Sequence, residues 1–159
     1  MDSKYLIKTL NLQAHPEGGF YRETYRSKES ITTQDGSTRN ISTAIYYLLE
    51  NDNKSHFHRI KSDESWFFHQ GDCLEIVSLR DGELQTTWLG NNIEQGEIPQ
   101  ATIPANTWFA CKIKDASGYA LVSCTVAPGF DFADFELANK NDLMEEYPSI
   151  KNVIEEFTL

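Results

Sequence analysis

The sequence predicts a mainly β chain, a sandwich or barrel of short strands with short helices at its N- and C-terminal ends. Strand-like runs rich in Ile, Val, Thr and aromatic residues recur at short spacing through the middle of the chain, separated by turn residues. Aromatic residues make up 12% of the composition, a bias that favours strands and an aromatic-lined interior over a helical bundle. Asp81-Gly82 lies between two alternating runs, Cys73–Leu79 and Glu83–Leu89, and is the strongest hairpin signal in the chain.

In chain order, Ser3–Leu12 places Tyr5, Leu6, Ile7 and Leu10 at mixed helical spacing, with Asp2 or Ser3 as cap. His15-Pro16-Glu17-Gly18-Gly19 breaks that helix. Strands are predicted at Phe20–Ser27 and Ile41–Glu50, with Asp35-Gly36 in the polar stretch between them. Further strands follow at His56–Ile60, Ser65–His69, Ala101–Ile103, Thr107–Ile113 and Tyr119–Val126. Near the end, Asp142 with Glu145 resembles a capping box, and Ser149 is placed to cap a last helix bearing Ile150, Val153, Ile154 and Phe157 on one stripe. Residues 1–159 read as one domain, with a barrel at about 20–126 and C-terminal helices at about 140–157.

With 24 acidic against 14 basic residues the net charge is −10, which repels nucleic acid and anionic lipid. No run is long and apolar enough to span a bilayer, and the first residues lack the layout of a signal peptide, so a cytoplasmic location is expected. Cys73, Cys111 and Cys124 are odd in number, form no Cys-x-x-Cys pair and sit in apolar runs; reduced core thiols are expected.

The segment that carries chemistry is Ser55-His56-Phe57-His58-Arg59-Ile60-Lys61-Ser62-Asp63-Glu64. Residues two apart on a strand point the same way, so His56 and His58 are expected on one face. Two imidazoles and a carboxylate suit divalent iron or a similar metal. The same trio suits proton transfer, since His titrates near neutrality and a carboxylate can orient its ring. His56, His58 and Glu64 are therefore candidates for catalysis and, alternatively, for holding a divalent metal.

His56-x-His58, Glu64 and Gly71 together resemble the first motif of the cupin superfamily, with one residue more than usual before Glu64. Asp63 sits at the usual spacing, while the distance to Gly71 favours Glu64. Pro104-Ala105-Asn106-Thr107-Trp108-Phe109 is similar to part of the second motif, with Asn106 in place of Gly and Phe109 in place of the histidine that would be the third ligand. The segments His15–Glu23, Ser55–His58 with Asp63-Glu64, and Ala127–Leu137 narrow the resemblance to the cupin-5 subgroup, a family of unknown function. The resemblance implies a double-stranded β-helix (jelly-roll) barrel, commonly a homodimer, with a ligand cavity between its sheets. It brings no activity with it.

On that reading Glu64, Trp66 and Phe68 share a strand face, and Phe109 faces the same cavity. Tyr21, Arg22, Glu23, Tyr46 and Glu75 complete the candidate ligand-binding set, Arg22 as an anion binder. Glu17 belongs to the same polar group beside the glycines, and Asp131 either closes the barrel mouth or begins the linker to the last helices. Two functions follow. One is a small-molecule cupin, as an enzyme an isomerase or epimerase of a sugar-like or carbonyl compound, with His56 or His58 as base, Glu64 orienting it and Tyr46 or Tyr21 returning the proton. The other is a non-catalytic ligand-sensing or storage-like dimer.

Overall fold

The computed structural model describes residues 2–159. Helix α1 (Ser3–Thr9) is capped by Asp2, whose carboxylate accepts from the Tyr5 amide. Thirteen strands follow: β1 (Gln13–Ala14), β2 (Phe20–Arg26), β3 (Ser30–Thr32), β4 (Thr38–Asn40), β5 (Thr43–Glu50), β6 (Lys54–Arg59), β7 (Asp63–Gly71), β8 (Leu74–Arg80), β9 (Glu83–Leu89), β10 (Gln100–Ile103), β11 (Phe109–Ile113), β12 (Tyr119–Ala127) and β13 (Glu136–Leu137). Helices α2 (Lys140–Glu146) and α3 (Lys151–Glu156) close the chain.

The strands form two main antiparallel sheets, β1-β2-β5-β12-β7-β10 and β13-β6-β11-β8-β9, with β3 and β4 as a separate hairpin. The inner faces of the two sheets share one core that includes Tyr47, Leu49, Trp66, Leu74, Ile76, Phe109, Cys111, Val122 and Cys124. The outer face of the second sheet is covered by α2 and α3, where Phe57, Val77, Leu79 and Trp108 meet Leu143, Ile154 and Phe157. Helix α1 covers part of the other sheet through Leu6, packed with Leu12, Leu48 and Leu121. Neighbours such as Ile76 and Val77 are therefore both buried, one on each face. Asp81 and Gly82 both take positive φ between β8 and β9, the backbone that an Asp-Gly hairpin turn requires.

The C-terminal caps differ from expectation. Asn139 caps α2, its side chain accepting from the amides of Asn141 and Asp142, so Asp142 sits inside the first turn and is no cap. Ser149 does not cap α3 either: Pro148–Ile150 forms a 3-10 turn that leads into the helix, and Ile150 occupies the cap position. Strands β1 and β13 have two residues each, too few for a periodic signal. Cys111 and Cys124 are buried, Cys73 is half-buried, and all three are free thiols. No helix among the described residues is long and apolar enough to cross a membrane.

Two β-bulges decide what faces inward. On β6, Phe109 pairs with His58 and Cys111 with Ser55, so one extra residue is accommodated between Ser55 and His58. On β2, Glu23 pairs with Ile45 and Tyr25 with Ala44, which leaves Thr24 as the extra residue. Each bulge reverses the alternation beyond it, putting Ser55 with His58, and Glu23 with Arg26, on one face.

The ring of Phe57, buried beside Phe157 at a centroid distance of 5.9 Å, joins the bulged strand to the last helix. Phe57→Ala is expected to cost about 3–5 kcal/mol in urea-induced unfolding, the range for deleting a buried aromatic ring.

Candidate functional site

The turn at His15–Gly19 is shaped by glycine. Gly18 has φ +111°, and a β-carbon there would lie 1.9 Å from the Lys54 carbonyl oxygen. Only a residue without a side chain lets this backbone press against β6. The Glu17 carbonyl then accepts two hydrogen bonds from one residue, from the His56 amide at 2.9 Å and from the His56 ring Nδ1–H at 2.7 Å. Further contacts consolidate the bulge: the Phe57 amide donates to the Phe157 carbonyl, and the Ala138 amide donates to the Phe57 carbonyl.

His56 and His58 therefore do not share a face. His56 turns aside and ties down the Glu17 turn, while His58 points inward. The His58 Nδ1–H donates to the His56 carbonyl at 2.7 Å, and Nε2 lies 2.8 Å from the Glu17 carboxylate. Both groups are buried, with 2% of His58 and 5% of Glu17 exposed. Burial by itself would lower the His58 pKa, but the Glu17 charge and hydrogen bond outweigh it and raise the pKa above the ordinary histidine value. Burial would raise Glu17 in turn, and the His58 charge and hydrogen bond hold it below the ordinary carboxylate range. The two form a buried imidazolium–carboxylate pair. The His58 ring lies between Phe109 at 4.2 Å and Phe135 at 5.4 Å, centroid to centroid, so aromatic faces flank the cation.

This pair borders a cavity of about 490 Å³ between the sheets. Its wall includes His15, Tyr21, Glu23, Arg26 and Glu64, and at its mouth lie Phe130, Asp131, Phe132 and Phe135. His15 accepts the Glu17 amide on Nδ1, and burial lowers its pKa, so it is neutral. Glu64 is 8% exposed and is raised to about 7, by burial first and then by the Glu17 charge, with His58 acting in the opposite sense. The buried Cys124 thiol hydrogen-bonds to it. Glu64 thus divides between acid and carboxylate near neutral pH.

Of the other expected residues, Tyr21 and Glu23 line the cavity. Arg22 lies on the opposite face of β2, its guanidinium 5.6 Å from the Tyr46 ring, and neither reaches the cavity. Trp66 and Phe68 do share the inner face with Glu64. Trp66 is buried deeper, against Tyr47 and Phe109, and Phe68 lies further along the same strand; neither lines the cavity. Phe109 is core beside His58. Glu75 faces outward and pairs with Lys112 at 3.6 Å.

The sequence does not single out His15, Arg26 or the phenylalanines at 130, 132 and 135 for the site, and it marks Glu17 and Asp131 only as polar residues in the flanking motifs. Their signal lay in those motifs; Arg26 had none, because the Thr24 bulge sets its direction.

The expected metal set does not fit. His56 is committed to the Glu17 carbonyl, the His58 Nε2 to the Glu17 carboxylate, and Phe109 has no donor atom. Among the described residues no group of three or more His, Cys, Asp or Glu side chains is arranged to hold a metal ion.

Comparison with known proteins shows the family. The family model described as Cupin_5, cupin superfamily (DUF985), matches residues 4–138. An uncharacterised protein of Saccharomyces cerevisiae, YML079W, is 30% identical over 151 residues, covering 86% of this chain and 75% of its own. The crystal structure of protein SO0799 from Shewanella oneidensis is 39% identical, with a TM-score of 0.92 over 100% of this chain and 98% of that one. Oxalate decarboxylase from Bacillus subtilis superposes with a TM-score of 0.56 at 13% identity, over 91% of this chain and 36% of its own, a likeness of fold alone.

Glu17→Gln is expected to cost about 3 kcal/mol at pH 6, the scale for breaking a buried pair, and to bring the His58 NMR titration below the ordinary histidine value. The pair's pH signature is two-sided. Glu17, depressed in the fold, stabilises above its unfolded value of 4.5, and this is lost as acid protonates it. His58, raised in the fold, stabilises below 6.5, and this is lost as pH climbs through its folded value. Glu64 has the opposite sign to Glu17: its folded value of about 7 exceeds 4.5, so its contribution worsens as pH rises between the two. Glu64→Gln is expected to leave the melting temperature unchanged at pH 4 and to raise it at pH 8.

Proposed function

The chain belongs to the Cupin_5 family of the cupin superfamily (DUF985), and on that footing we propose that its cavity binds a small organic molecule and that Glu64 moves a proton on it. The observation that carries this reading is Glu64 itself: a buried carboxyl poised near neutrality, without an ion-pair partner among the described residues, on the wall of a cavity large enough for a small metabolite. The reaction class is isomerisation or epimerisation of a carbonyl or sugar-like compound. As carboxylate, Glu64 takes a proton from the carbon beside the carbonyl; as acid, it returns one, with the Tyr21 hydroxyl on the same wall as the second donor. His58 has both ring nitrogens occupied, so its role is to hold Glu17 and set the field around Glu64 rather than to act as base. A homodimer belongs to the same reading and rests on the family resemblance.

The locked imidazole supports a second reading, a non-catalytic ligand-sensing or storage-like module, since the sequence-expected base is not free. One experiment separates them. The protein is incubated in deuterated water with a panel of aldoses, ketoses, nucleotide sugars and α-hydroxy ketones, and loss of C–H signals is followed by NMR. Proton transfer predicts exchange that falls about 100-fold or more in Glu64→Gln, the scale of one general acid–base group, and survives in Arg22→Ala. Exchange that persists unchanged in Glu64→Gln removes Glu64 from the chemistry. Binding without exchange supports the second reading.

A further inference from the structure

The cavity wall is unevenly supplied with donors and acceptors. Three of its side chains can carry positive charge: His15, Arg26 and His58. His15 is neutral, with Nδ1 accepting from the Glu17 amide. His58 spends both ring nitrogens on the His56 carbonyl and the Glu17 carboxylate. Arg26 has five N–H donors in principle. Its Nε reaches Glu23 at 3.2 Å, Nη1 reaches the Asn40 side chain at 2.8 Å, and Nη2 reaches both Glu23 at 2.6 Å and the Phe130 carbonyl at 3.0 Å. That guanidinium has no free edge for a bidentate grip on a carboxylate or phosphate.

The acceptors are not spent in the same way. Glu17 and Glu23 are neutralised by His58 and Arg26. Glu64 and Asp131 have no ion-pair partner among the described residues. The Glu64 carboxyl, more than nine-tenths buried, has among the described residues only the Cys124 thiol as a hydrogen-bonding neighbour. Asp131 accepts one amide, from Ala133. The uncompensated charge of the cavity is therefore negative. The rings of Phe130, Phe132 and Phe135 at the mouth are packed edge to face, at centroid distances of 4.9 to 6.4 Å, and offer π-surface to a cation or an apolar body.

We propose that the cavity takes an organic cation, a protonated amine carried on an apolar or aromatic body, and that it discriminates against carboxylates and phosphates. This rests on the reading of the cavity as a small-molecule site and adds the charge class of its occupant. An ammonium supplies the uncommitted positive charge the wall lacks and meets the carboxylates left without an ion-pair partner. An anion finds a single unengaged N–H, on Arg26 Nη1, and faces Glu64 and Asp131 with like charge. An ammonium beside Glu64 also favours its carboxylate form, the form that accepts a proton.

The test uses three probes of nearly one shape: benzylammonium, benzyl alcohol and benzoate, measured against the full chain by calorimetry and thermal shift at pH 7.5 and low salt. Benzylammonium is expected to bind about tenfold or more tightly than benzoate and to outbind benzyl alcohol, a preference of the size one unscreened charge contact supplies. The preference is expected to shrink in Glu64→Gln and in Asp131→Asn. The second variant changes an exposed residue whose amide can still cap the following turn, so it guards against loss of folding in the first. High salt is expected to narrow the gap. Benzoate binding as tightly as benzylammonium, or benzyl alcohol equalling it, overturns the charge assignment while leaving the cavity reading intact. Binding of none of the three overturns the inference too, and the deuterium-exchange panel then decides the cavity reading separately.

Discussion

The site is organised by a single contact, the Glu17 carboxylate against the His58 imidazolium. Two charges removed from water are tolerable only when paired closely and hydrogen-bonded on their remaining valences. Here the second imidazole nitrogen donates to a backbone carbonyl, and aromatic rings lie on either side of the cation. The pair demands that a surface turn and an interior strand approach to 2.8 Å. Much of the local backbone serves that demand: the glycine that lets the turn descend, the bulge that rotates His58 inward, and the two hydrogen bonds from His56 that fix the turn.

The pair also accounts for the unusual state of Glu64. The carboxyl is buried near one cation and one anion that act in opposite senses, burial is the largest influence, and the acid form persists to about pH 7. A carboxyl at this depth with a salt bridge of its own would be a permanent anion. Glu64 lacks that bridge because Glu17 already holds the imidazolium. The arrangement leaves one titrating group at the cavity, with its neighbours committed elsewhere, and that division between fixed and free groups is what makes the cavity chemically interesting.

Several residues were legible as important but not in their roles. His56 and His58 carry the family motif, and both matter to the geometry; one lines the cavity and the other secures the turn that completes it. The sequence suggests Glu64 as the group that orients a histidine, whereas in the structure the histidine is held by Glu17 and Glu64 is the freer partner. By its chemistry Arg22 stands out in the sequence as an anion binder. Regular alternation with Tyr21 and Glu23 lays Arg22 over Tyr46 outside, and the Thr24 bulge turns Arg26 inward beside Glu23. Alternation along a strand is a reliable guide only while the ladder is regular.

The amino-acid sequence alone determined the β-rich class, the Asp81-Gly82 hairpin, the bounds of most long strands and the motifs that mark the family, because these depend on local propensity and on patterns a few residues long. Tertiary structure alone decided which side chains meet. Glu17 and His58 are 41 positions apart, and their pairing depends on a bulge whose amides are satisfied by the turn at residue 17 and by the C-terminal helix. A bulge of that kind is stable only because distant segments supply its hydrogen bonds, and no pattern within the strand itself records their arrival.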